Sequence, residues 1–217
     1  IRPWDKTLLI RVQRGFLREG DQIVIRLGDT RQGSPGLRMQ TFSEPTFEFK
    51  VLVDAFATYN YVELPEQPSI AVVAGPPVGY KALLPTLRRV GEAFTLGFKG
   101  EDKWGNPSHL VQGSFSLEPS LPVEGLPATV TPEPGALSTA IADLKVLAPG
   151  ELRITVKNAA SEVVCRSNPM RVQAETALLP YWADLHGQSE ETIGTNSARE
   201  LIEFARDRAF LDAMSHQ

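Results

Sequence analysis

Short runs of alternating apolar and polar residues fill the chain up to about residue 175, and Gly, Pro, Asp and Asn separate them. Ile23, Ile25 and Leu27 of QIVIRL (Gln22–Leu27) fall two apart, as do Phe47, Phe49 and Val51 of TFEFKVLV (Thr46–Val53). Side chains two apart leave a strand on the same face, so this spacing predicts half-buried β-strands. TLLIRV (Thr7–Val12), YVEL (Tyr61–Leu64) and SIAVVA (Ser69–Ala74) are further strands of this first set. AGPPVG (Ala74–Gly79) then interrupts the pattern, because proline has no amide to give to a central strand. The alternation restarts in EAFTLGFKG, with Phe94, Leu96 and Phe98 in phase. It continues through SFSL (Ser114–Leu117), ATV (Ala128–Val130), IADLKV (Ile141–Val146), ELRITVKN, EVVC and MRV.

Beyond Glu175 the period changes. LLPYWADL reads as one buried strand and TNSARELIEFARDRA as a helix. Ser197 followed by Glu200 is a capping box, with Asn196 a competing cap, and Ala198, Leu201, Ile202, Ala205 and Ala209 form a stripe at helical spacing. FLDAMSHQ reads as a second strand, and strand, helix, strand in so short a span calls for a parallel pair. The expected fold is therefore mainly β: an immunoglobulin-like β-sandwich region followed by the first βαβ unit of a β/α barrel. Residues 1–76 are expected to be a small β domain or part of the sandwich, 77–175 the immunoglobulin-like sandwich, and 176–217 an incomplete strand-helix-strand unit. A lone unit of that size buries too little surface to stand alone, so further chain or a partner is expected to complete it.

Composition narrows the function classes. The 217 residues carry a net charge of −4, which gives no electrostatic case for nucleic acid. No run approaches the roughly 18 consecutive apolar residues of a transmembrane helix. Cys165 is the one cysteine, so no internal disulfide forms, and its apolar neighbours Val163 and Val164 suit a packed thiol. Trp104, in EDKWGNPS, reads as an anchor at the edge of the sandwich.

The chemistry concentrates near the C-terminus. Of three histidines, His109 lies in a polar loop, whereas His186 and His216 each end a predicted strand of the last unit. The C-terminal edge of parallel strands is where sites are built in β/α folds. Adjacent strands lie about 4.8 Å apart, which lets two such imidazoles reach one metal ion. Asp184, His186 and Gln188 fall two apart, on one face of an uninterrupted strand.

DLHGQSEETIG and the FLDAMSHQ strand resemble the first two motifs of the PHP (polymerase and histidinol phosphatase) superfamily, in particular an uncharacterised group whose members carry β-sandwich segments ahead of the barrel. The matching stretch covers about residues 180–217. The resemblance implies that His186 and His216 are metal ligands, with Gln188 where the family generally has a further histidine. An amide oxygen is a poorer ligand than imidazole for zinc-like ions, so that position is weakened. Thr192-Ile193-Gly194 also departs from the usual motif ending. Asp184 is implied as the catalytic carboxylate, orienting a ligand or a water, with Glu190 and Glu191 as nearby loop carboxylates. The implied cofactor is a divalent metal (zinc, manganese or iron). The implied activity is phosphoester hydrolysis by a metal-activated water, on a small-molecule or glycan-linked substrate. The implied partner is the remainder of the β/α barrel, without which these residues are expected to be inactive. The alternative is a non-catalytic β-sandwich protein, binding or structural, with a short C-terminal extension.

Overall fold

The computed structural model of the protein describes residues 7–217. It divides into two compact units, one formed by the residues up to Thr41 with Glu48–Pro68, the other by Phe42–Phe47 with Ser69–Gln217. The fold is mainly β, and among the described residues the strand order closes no barrel.

Four short strands come first: β1 (Glu44–Glu48), β2 (Leu52–Val53), β3 (Val62–Glu63) and β4 (Ser69–Val72). β1 pairs with β4, and β2 pairs antiparallel with β3, Leu52 opposite Glu63. The turn before β3 is built on Asp54, whose carboxylate accepts the amides of Phe56, Thr58 and Tyr59. These bonds, that of Thr58 foremost, hold its pKa below the ordinary value. The runs Thr7–Val12 and Gln22–Leu27 do not become strands. Leu8, Ile10, Val12, Ile23, Ile25 and Leu27 are all exposed. Alternation gives a strand one apolar face, but the face needs a layer to cover and the backbone needs a neighbour to pair with; neither run has them here.

The second unit carries the core. Its strands are β5 (Gly79–Leu83), β6 (Leu87–Arg89), β7 (Phe94–Glu101), β8 (Phe115–Pro119), β9 (Thr129–Val130), β10 (Thr139–Leu144), β11 (Gly150–Leu152), β12 (Ile154–Lys157), β13 (Val163–Arg166) and β14 (Met170–Gln173). They form three sheets, ordered β10-β7-β5, β11-β14-β6 and β13-β12-β8-β9. All pairs are antiparallel except β14 with β6. ELRITVKN, a single run by its alternation, serves two sheets: Leu152 ends β11 against Met170, and Ile154 begins β12 against Pro119. The buried faces of the three sheets meet in one cluster that includes Leu96, Phe98, Phe115, Leu144, Ile154 and Met170.

Cys165, on β13, lies beside this cluster. Burial pushes its thiol up to about 11, against a smaller opposing pull from Lys81. An ordinary thiol titrates near 8.5, so at pH 8 the thiolate fraction here is lower by roughly 200-fold. Reaction with an aromatic disulfide reagent at pH 8 is expected to be slower by about that factor in native protein than after denaturation. Equal rates would mean that β13 is not packed as described.

After β14 come β15 (Ala183–Gly187), α1 (Ala198–Asp207) and β16 (Ala213–His216). β15 and β16 make a two-stranded sheet of their own and extend none of the others among the described residues. The buried strand expected over LLPYWADL is shorter and open: Leu178, Tyr181, Trp182 and Leu185 are exposed. A two-stranded sheet with one helix covers one face at most, so these side chains have nothing to pack on. Ser197 caps α1 as its spacing from Glu200 predicts, its hydroxyl accepting the Glu200 amide while the Glu200 carboxylate accepts the Ser197 amide. Of the expected stripe, Ala205 is buried and Ile202 is exposed. The Phe210 ring lies where a side chain on Gly97 of β7 would stand, 2.7 Å from an ideal Cβ there. The Ser138 hydroxyl donates to Asp207 O at 2.6 Å. These two contacts fasten the end of α1 to the β10-β7 side of the core.

Candidate functional site

β15 and β16 run parallel, with Ala183 opposite Ala213, Asp184 opposite Met214 and Gly187 opposite His216. Their ends are tied. Trp182 O accepts the amides of Asp212 at 2.9 Å and Ala213 at 3.2 Å, and the Asp212 carboxylate accepts the Trp182 amide at 2.8 Å. At the other end the Gln217 amide donates to Gly187 O at 2.9 Å and its side chain to Leu185 O at 2.8 Å. Gly187 is required by close approach: a Cβ there would collide with the Met214 methyl and stand 2.9 Å from Ser215 O.

Between Asp184 and Gly187 the register shifts, three residue steps on β15 opposing two on β16. One extra residue in a strand breaks its two-residue alternation. Asp184, His186 and Gln188 therefore do not follow from spacing alone as members of one face. The bulge is braced locally, since Asp184 Oδ1 accepts the His186 amide at 2.9 Å. A bulge of this kind re-aims side chains at the end of a strand.

His186 and His216 are both exposed at the C-terminal ends of the paired strands. Gln188 is half-buried, and its Oε1 accepts the Thr192 hydroxyl at 2.5 Å. Glu190 and Glu191 are exposed. His216 is held through one nitrogen: its Nε2 lies 2.7 Å from the hydroxyl oxygen of Ser189, which is 0% exposed. The same oxygen accepts the Glu191 amide at 3.2 Å, and Ser189 O accepts the amides of Thr192 at 2.9 Å and Gly194 at 2.8 Å. Sequence spacing does not single out Ser189. Its one signal is position, a small hydroxyl residue three places after His186 in HGQS. Asn196, weighed as a helix cap, instead accepts the Glu190 amide through its backbone carbonyl, and its Oδ1 is buried without a hydrogen-bond partner.

Elsewhere, His109 is half-buried and Trp104 half-exposed, with the Lys103 ammonium 5.0 Å from the centre of the Trp104 ring system. An open groove of about 510 Å³ is lined by Arg89, Ala174, Glu175, Thr176 and Ala177. Its guanidinium is already engaged, donating to Thr176 O at 3.0 Å.

Imidazole nitrogen is a donor that zinc-like ions favour, so His186 and His216 suit two positions of a metal site. Among the described residues no group of three or more His, Cys, Asp or Glu side chains is arranged to hold an ion. The residues present thus fit part of a donor set, and the rest of it is not among them. Compared with known proteins, the chain matches no family model and no curated protein.

Proposed function

We propose that the chain is the N-terminal portion of a PHP-like metal-dependent hydrolase that cleaves phosphoesters. In this reading the three-sheet region is an immunoglobulin-like sandwich, and β15, α1 and β16 are the first βαβ unit of a β/α barrel. The observation that carries it is the parallel pairing of β15 with β16, which brings two strand-end histidines to the same edge. His186 and His216 would hold the ion, and Gln188, its carbonyl already bonded to Thr192, would be the weakest donor of the three. Further donors would come from protein outside the described residues. A divalent ion there supplies an activated water and neutralises charge on a phosphoryl group. Asp184 holds the His186 backbone, so its part is to position that histidine; it acts on substrate only through it.

Calorimetric titration of the metal-free chain with Zn²⁺ tests this. One site is expected, weakened at least tenfold by His186→Ala and by His216→Ala separately. Binding unchanged in both variants would remove the metal reading and leave a β protein that binds or supports something else. Deletion of residues 176–217 that left biological activity intact would favour that second class.

A further inference from the structure

Ser189 is a fully buried hydroxyl whose oxygen lies 2.7 Å from His216 Nε2, although the ring belongs to an exposed residue 27 positions later in the chain. A buried polar group keeps its hydrogen bonds or costs stability, so this contact is a fixed point for the ring. The oxygen is held in turn. The Glu191 amide donates to it at 3.2 Å, and the loop folds back on Ser189 O through Thr192 and Gly194. A hydroxyl oxygen has two acceptor lone pairs. With one taken by the Glu191 amide, the other suits an N–H from the ring. His216 then carries its proton on Nε2 and presents Nδ1, with a free lone pair, away from the buried side.

We propose that Ser189 is a positioning residue that fixes the tautomer of His216, so that Nδ1 is the nitrogen offered to a metal ion. The assignment of the acceptor as a metal rests on the function proposed above; the fixing of the ring does not. A histidine ligand's second nitrogen generally meets a hydrogen-bond partner that sets ring orientation and basicity, and losing that partner lowers metal affinity by about 10–100-fold. Ser189 fills that place here from a loop, the link between β15 and α1, that also contains Gln188.

Long-range proton–nitrogen spectra of the metal-free full chain, recorded where imidazole is neutral, test this directly. Wild-type His216 is expected as a single tautomer protonated at Nε2. Ser189→Ala is expected to give an averaged ring signal and a Zn²⁺ affinity lower by 10–100-fold, and Ser189→Thr, which keeps the hydroxyl, to restore both. A wild-type ring protonated at Nδ1 overturns the proposal, as does a His216 signal that Ser189→Ala leaves unchanged. If Ser189→Ala does not fold, the wild-type tautomer alone decides. A chain that shows the Nε2–H tautomer, released by Ser189→Ala, yet binds no Zn²⁺ keeps the positioning role and removes the metal function.

Discussion

Phe98→Ala is expected to lower the unfolding free energy of the β core by about 4 kcal/mol. Phe98 is 1% exposed at the centre of β7. Its ring stacks on Tyr80 with centroids 5.9 Å apart and an interplanar angle of 6°, and tilts against Phe115 at 5.0 Å and 58°. Tyr80 and Phe115 are themselves 5.3 Å apart, so the three rings form a closed contact triangle linking β5, β7 and β8. β7 and β8 belong to different sheets, which makes this the place where two layers are held together. Truncation removes the ring's transfer free energy and leaves a cavity that the strands on either side, fixed by their ladders, cannot close. Urea unfolding is the measurement: the midpoint should fall with the slope unchanged. A loss below about 1 kcal/mol would mean that the layers are not packed through these rings.

Asp102→Ala is expected to cost about 3 kcal/mol, although the residue lies outside the apolar core. The side chain is 8% exposed, in the turn EDKWGNPS after β7. Its carboxylate accepts the amides of Gly75 at 3.1 Å, Trp104 at 2.8 Å and Asn106 at 3.0 Å, together with the Asn106 side-chain amide at 3.0 Å. Alanine strands these donors. Burial is the largest single influence on this carboxyl and pushes its pKa up, but the hydrogen bonds together outweigh it and hold it below the ordinary value. A carboxyl depressed in the folded state contributes stability that is fully present above its unfolded value, near 4, and is lost as pH falls through the folded one. Wild-type stability should therefore fall more steeply than that of Asp102→Asn as the pH drops below about 4. Parallel acid limbs for the two proteins would contradict the bonding described.

Why these two positions differ in legibility is physical. Phe94, Leu96 and Phe98 announce a buried strand face by spacing alone, because the run is long and its partners, β5 and β10, lie on either side of it. Thr7–Val12 and Gln22–Leu27 show the same spacing and form no strand, since alternation describes one surface and is silent about whether a second meets it. Leu152 and Ile154 sit in one alternating run yet serve different sheets, a switch that only pairing partners reveal. The capping box of α1 was legible because all its atoms lie within four residues.

The C-terminal site was half legible. Strand-end histidines and their parallel neighbours follow from the order strand, helix, strand. The bulge within Asp184–Gly187 does not, because an extra residue leaves no mark in a polar pattern. Nor does the bond from Ser189 to His216, which joins residues 27 positions apart and depends on how the loop after β15 turns. Asp102 was equally hidden: an acidic residue in a turn is ordinary, and the four donors that make it structural come from as far away as Gly75.

The sharpest test is the position of a bound ion. Crystals of the chain soaked in zinc and measured at the zinc absorption edge should show one anomalous peak, about 2.1 Å from a ring nitrogen of both His186 and His216. Separate peaks on the two rings, or no peak at either, would contradict a shared ion and with it the hydrolase reading.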